Sequence, residues 1–222
     1  MHRRTLSALA LTSLAALALS GCSMIGGPQP SASPSADPRA VSSTFERDAD
    51  GYVAPGSGVT VGTTVPTFFV DSSGTWKADL TIDSIVEGKK EDLSVVQSSS
   101  TDLSAFLPYY TTITVKITGG DASAAGKSVG DMFSYETHSG AQAPRLISIN
   151  GVFPACTGSD AFPAQPDASA SQADKDKART ITFCQVSLAP ASDAVDQVNW
   201  HPDDTPYNTE DGKPVFFRPA QG

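Results

Sequence analysis

Tyr109-Tyr110-Thr111-Thr112-Ile113-Thr114-Val115-Lys116-Ile117-Thr118 decides the fold class. Thr111, Ile113, Val115 and Ile117 fall on one side of an extended chain, and Tyr110, Thr112, Thr114 and Lys116 on the other. Strict alternation of this kind, rich in β-branched residues, marks a half-buried strand of an antiparallel sheet. The same pattern recurs at Trp76–Ile82, where Trp76, Ala78, Leu80 and Ile82 alternate with Lys77, Asp79 and Thr81. Ile85 is then out of phase, which predicts a bulge near Asp83.

Outward from these two segments, short apolar runs broken by Gly, Pro, Asp and Ser clusters predict further strands. They fall near Val59–Val61, Thr67–Val70, Met132–Glu136, Leu146–Ile149, Thr180–Leu188 and Pro214–Arg218. No segment sustains a helical period with caps, and residues 174–179 read as a solvated loop inside the disulfide, with a turn of helix as the alternative. About seven or eight strands with turn signals between them predict an all-β, immunoglobulin-like antiparallel β-sandwich. A closed barrel is the alternative.

The other end of the chain is of a different kind. Met1-His2-Arg3-Arg4 is a basic head, and Leu6 to Leu19 is almost wholly Leu and Ala. A run of about 14 residues falls short of the roughly 20 a membrane span needs, so it reads as a secretory signal. Leu19-Ser20-Gly21-Cys22 resembles the bacterial lipobox at all four positions. That resemblance implies diacylglycerol attachment to Cys22 and cleavage between Gly21 and Cys22. Several acyl chains on one residue anchor firmly, at about 0.8 kcal/mol per buried methylene. Residues 23–43 are dominated by Pro, Ser, Ala and Gly, a composition that forms a flexible tether. Residues 44–57 are transitional, with turn signals at Asp50-Gly51 and Pro55-Gly56. The expected organisation is a signal peptide at 1–21, a lipidated tether at 22–57 and a sandwich at 58–222.

The 222-residue chain has 15 Lys and Arg against 24 Asp and Glu, a net charge of −9, which becomes −11 once Arg3 and Arg4 leave with the signal. Such a balance excludes nucleic acid as a partner, because phosphates require a basic footprint. With Cys22 acylated, Cys156 and Cys184 remain as an even pair outside the reducing cytosol, which predicts a disulfide.

Three stretches carry a resemblance to a family. They are Trp76–Val86 after a Gly/Val-rich first strand, Tyr109–Thr118 leading into Gly119-Gly120-Asp121, and Phe183-Cys184-Gln185-Val186-Ser187-Leu188-Ala189-Pro190. The last is followed by Val195, Val198-Asn199-Trp200 and Pro214-Val215-Phe216-Phe217. Over roughly residues 58–219 the chain resembles the immunoglobulin-like domain of unknown function found in secreted antigens and lipoproteins of Gram-positive bacteria. The resemblance brings no catalytic residues with it.

Chemical motifs fare worse. Gly126-Lys127-Ser128-Val129-Gly130 has the letters of a nucleophile elbow, which needs a strand, a sharp turn and a helix, whereas 129–136 reads as strand. The same residues resemble the end of a phosphate loop, but its first glycine would be Asp121, an acid. Glu46-Arg47-Asp48-Ala49-Asp50-Gly51 imitates half a calcium loop, yet position 12 is Ser57. The most suggestive polar patch is Trp200, His201, Asp203, Asp204 and Tyr207, followed by Asn208, Glu210 and Asp211. Tyr109-Tyr110 and Phe216-Phe217 each place one aromatic on either face, the outward one being open to a binding surface. No catalytic, metal or cofactor-binding residue is assigned. The expected function is a non-enzymatic binding module at the extracellular face of the membrane, held by its lipid. Its partner is an envelope protein or a small ligand. The alternatives are a metal-handling or hydrolytic lipoprotein using 200–211 with His138, and a purely structural envelope component.

Overall fold

The computed structural model describes residues 39–96, 102–120, 124–146 and 152–220. The lipobox Leu19-Ser20-Gly21-Cys22, the tether up to residue 38, Asp121 and the expected strand residues 147–149 lie outside them. The described strands are β1 (Gly58–Thr60), β2 (Thr64–Asp71), β3 (Gly74–Glu87), β4 (Phe106–Gly120) and β5 (Phe133–Thr137). After them come β6 (Gln142–Ala143), β7 (Arg145–Leu146), β8 (Thr180–Pro190), β9 (Val195–Trp200) and β10 (Val215–Arg218). One five-stranded sheet has the order β1-β10-β9-β5-β6 and the other β2-β3-β4-β8-β7. All pairings are antiparallel except β1 with β10. The fold is a two-sheet β-sandwich, with more strands than the seven or eight expected.

The decisive stretch is the middle strand of its sheet. β4 pairs with β3 on one side and β8 on the other, and Thr111, Ile113, Val115 and Ile117 all point into the core. The register of β3 against β4 shifts between Ile82 and Ser84, which places the bulge at Asp83. The core lies between the sheets, where Leu80, Ile82, Ile113 and Phe183 from one meet Phe133, Val198, Trp200 and Phe217 from the other. Burial of these apolar surfaces is the main favourable term in folding.

Four features depart from the sequence expectations. First, residues 41–57 belong to the folded body and not to the tether. Val53 is fully buried, donating its N–H to Pro66 O while its own carbonyl accepts the Tyr207 hydroxyl at 2.9 Å, and Ser42 bridges Val59. Second, residues 172–178 form a helix, α1 (Gln172–Ala178), in place of the expected loop. Ser171 caps it by accepting the Asp174 N–H at 3.2 Å, the side-chain oxygen satisfying one of the end's unpaired donors. Third, Val195–Trp200 is a strand, central to its sheet.

Fourth, the sandwich has a second apolar cluster on the outer face of β4 and β8. Tyr110, Val186 and Leu188 are covered there by Phe153, Leu93 and Leu103. Tyr110 is therefore not an exposed aromatic; burial and then its hydrogen bond to Asp92 push its phenol well above its ordinary pKa. The Cys156–Cys184 disulfide fastens the Phe153 segment to β8, its Cα atoms 5.0 Å apart.

Candidate binding groove

The expected polar patch does not assemble as a site. Trp200 and Tyr207 are both fully buried in the core. Asp203 and Asp204 are exposed on a turn. The oxygen of Asn208 accepts the backbone N–H groups of Glu210, Asp211 and Gly212 at 2.9, 3.0 and 3.0 Å. The clustering of acids and amides in 208–212 thus serves a tight turn, since Asn satisfies backbone donors that the chain reversal leaves unpaired. Among the described residues no group of three or more His, Cys, Asp or Glu is arranged to hold a metal ion.

The two remaining histidines have separate surroundings. His138 is exposed, with Nδ1 at 2.9 Å from Asp196, whose carboxylate also accepts from Arg218 at 2.6 Å. His201 donates its backbone N–H to Met132 O, and its Nε2 is buried without a partner. Burial lowers the His201 pKa below the usual value of 6.5, with Asp203 opposing the shift and Arg145 reinforcing it. A lowered histidine pKa means that the unfolded chain takes up its proton first as pH falls, so stability declines below pH about 6.5 until the folded pKa is passed. His201→Gln is expected to flatten that part of the thermal-melting curve between pH 7.5 and pH 5. Equal slopes for variant and parent would show that His201 does not contribute.

Ser128, the elbow serine, donates to Asp160 at 2.8 Å and bridges Ala161 through its backbone. Residues 130–132 after it form one 3-10 turn, and β5 follows. The acidic 46–51 turn closes on itself, Asp48 accepting the N–H groups of Asp50 and Tyr52 at 3.0 and 2.9 Å.

The built polar site lies on the outer face of the β1-β10-β9-β5-β6 sheet. Val198 and Trp200 of β9 point inward, so Gln197 and Asn199 point outward. The register places Asn199 between Phe216 of β10 and Ser134 of β5, and Gln197 opposite Glu136. Glu136 is in turn opposite Gln142 of β6. Although outward, Gln197 and Asn199 are only 8% and 7% exposed. Their burial is compensated by hydrogen bonds, as buried polar groups require. Asn199 Nδ2 donates to Glu136 Oε1 at 2.8 Å, while Gln197 Nε2 lies 3.0 Å from Glu136 Oε2 and 2.9 Å from Asn199 Oδ1.

Glu136 and Asn199, braced by Gln197, floor a groove of about 380 Å³ that is also lined by Ser134, Gln142, Thr209, Pro214 and Gly140. Phe216 supplies its aromatic surface. The ring lies over Gly58, where an added Cβ would come within 2.6 Å of it, so this close approach requires a glycine. Arg39 donates to the carbonyl of His138, beside the Gly140 turn, which places Arg39 at the groove's rim.

Of the residues singled out from sequence, the groove uses Phe216 alone. Ser134, Glu136, Gln142 and Asn199 were missed. The available signal was a pair of amides at alternate positions of one strand, Gln197 and Asn199, where solvent-facing positions more often carry charges.

No family model and no curated protein matches the chain. Among solved structures it is similar to a secreted protein from Mycobacterium tuberculosis, MPT63. The TM-score is 0.43 at 12% identity, over 73% of this chain and 96% of that one. At that identity no residue role transfers.

Proposed function

We propose that the chain is a lipid-anchored, extracellular, non-enzymatic binding module of the immunoglobulin-like kind, held at the membrane through Cys22 and binding through the outer-face groove. The anchor is supported by the sequence Leu19-Ser20-Gly21-Cys22 after an apolar run. A site of export is supported by the disulfide, a bond that persists in oxidising compartments. Binding is carried by one observation: Glu136 and Asn199, bonded to each other and held in place by Gln197, form a fixed polar floor to the groove on the outer sheet face. Ser128 is hydrogen-bonded to Asp160, with neither histidine as its partner, which supports binding over hydrolysis.

Two measurements test the reading. The parent protein is expected to take up a labelled palmitate analogue and fractionate with membranes, whereas Cys22→Ser takes up none and is not retained. Equal labelling and retention would remove the anchor. The purified lipoprotein is expected to sediment with detergent-extracted cell envelopes, and Phe216→Ala to weaken this about tenfold through loss of the aromatic contact. Unchanged sedimentation of a folded Phe216→Ala protein would remove the groove.

A further inference from the structure

We infer that the groove takes a neutral, hydroxyl-rich ligand, a saccharide segment of the cell envelope; this rests on the binding role just proposed for it. The lining contains no Lys, Arg or His, and its one charged side chain is the Glu136 carboxylate. Phosphates and uronic acids would meet a like charge on the floor, with Arg39 at the rim beside Gly140 and bonded to the His138 carbonyl, and a like-charge juxtaposition costs affinity.

The floor also has hydrogen-bonding capacity to spare. An ionised carboxylate has about four acceptor positions, of which the two amides use one on each oxygen. The Asn199 amide has a second N–H beyond the one given to Glu136. Ser134 adds a hydroxyl that both donates and accepts. Acceptors and donors therefore alternate across neighbouring strands, about 4.8 Å apart. A run of hydroxyls, each donor and acceptor at once, fits such a surface; an acyl chain does not.

A sugar ring combines hydroxyls at its rim with a C–H face, and the Phe216 ring beside Asn199 offers that face an apolar partner. The groove lies mainly on the face of β5, β9 and β10 and meets a sheet edge only at Gln142 of the two-residue β6, too short a strand for an extended peptide to join. Its volume of about 380 Å³ lies at the low end of the roughly 300–1,000 Å³ of small-molecule sites, room for a short segment.

The test uses the mature lipoprotein in detergent. Neutral gluco-, manno- and arabino-oligosaccharides are titrated by calorimetry, with galacturonic-acid oligosaccharides as the charged arm. At least one neutral series is expected to bind saturably, about tenfold or more tighter than the acidic series, with the gap narrowing in Glu136→Gln because the like charge is removed. In parallel, sedimentation with detergent-extracted envelopes is expected to be lost after periodate cleavage of vicinal diols and to survive protease treatment of the envelopes. Binding to soluble oligosaccharides without sedimentation would assign a free sugar, and sedimentation sensitive to periodate would assign the envelope polymer. Retention that survives periodate but falls with protease, still sensitive to Phe216→Ala, would overturn the saccharide and leave the binding groove standing. Equal affinity for neutral and acidic series, or none for any neutral series, would also overturn it. Retention indifferent to Phe216→Ala would instead remove the groove itself.

Discussion

Trp200→Ala is expected to destabilise the protein by about 3–5 kcal/mol, the range for removing a large aromatic from a packed core. For a domain of this size that corresponds to a melting temperature lower by about 10–15 °C. Trp200 is fully buried on the middle strand of its sheet, and it reaches across the core to the other one. Its ring packs 4.9 Å from Phe133 and 6.2 Å from Phe69, and its Nε1 donates to the buried Thr67 hydroxyl at 3.1 Å. Truncation therefore leaves a cavity between the sheets and takes the indole donor from the Thr67 hydroxyl inside it, two costs that act together. Trp200→Phe separates them, since it refills most of the space and loses only the hydrogen bond, for about 1–2 kcal/mol. Urea unfolding followed by circular dichroism measures both. A Trp200→Ala protein within about 1 kcal/mol of the parent would show that the tryptophan is not the joint between the sheets.

The contrast between Trp200 in the sequence and Trp200 in the fold shows what was legible. The alternation in 109–118 made β4 plain, and the phase slip of Ile85 disclosed the bulge at Asp83, because both are local and periodic. β9 was hidden by its own regularity breaking down. The register shifts between Glu136 and Thr137, so Val195 and Val198 both face the core three positions apart, and two amides occupy the outward sites. With that strand unread, Trp200 looked like the start of an exposed loop. The helix at 172–178 ranked only as the alternative to a loop because its signal is a cap, Ser171 with Asp174, with little apolar period to accompany it. The groove was beyond reach for a different reason. Ser134, Glu136, Asn199 and Phe216 become neighbours only when β5, β9 and β10 pair, and each alone is an ordinary outward residue of a strand.

Replacing the disulfide with Cys156→Ala and Cys184→Ala is expected to cost about 3–4 kcal/mol, the loop-closure entropy of a cross-link between residues separated by 28 in sequence. The loss should be uneven. The bridge ties the segment carrying Phe153 onto β8, where Phe153 is 1% exposed and helps to cover Tyr110, Val186 and Leu188. The main core between the sheets contains neither cysteine. Without the bridge, the outer cluster is held by its apolar contacts and the Tyr110–Asp92 hydrogen bond, so it should open at lower cost than the sandwich. Hydrogen exchange is expected to quicken first at residues 152–156 and around Val186, while Ile113 and Val115 in the middle of β4 keep their protection. The Tyr110 phenol, raised mainly by burial, is expected to return towards its ordinary pKa of 10.0 in the same variant. Uniform loss of protection across both clusters would show that they unfold as one cooperative unit, with the disulfide bracing the whole sandwich and not its outer layer alone.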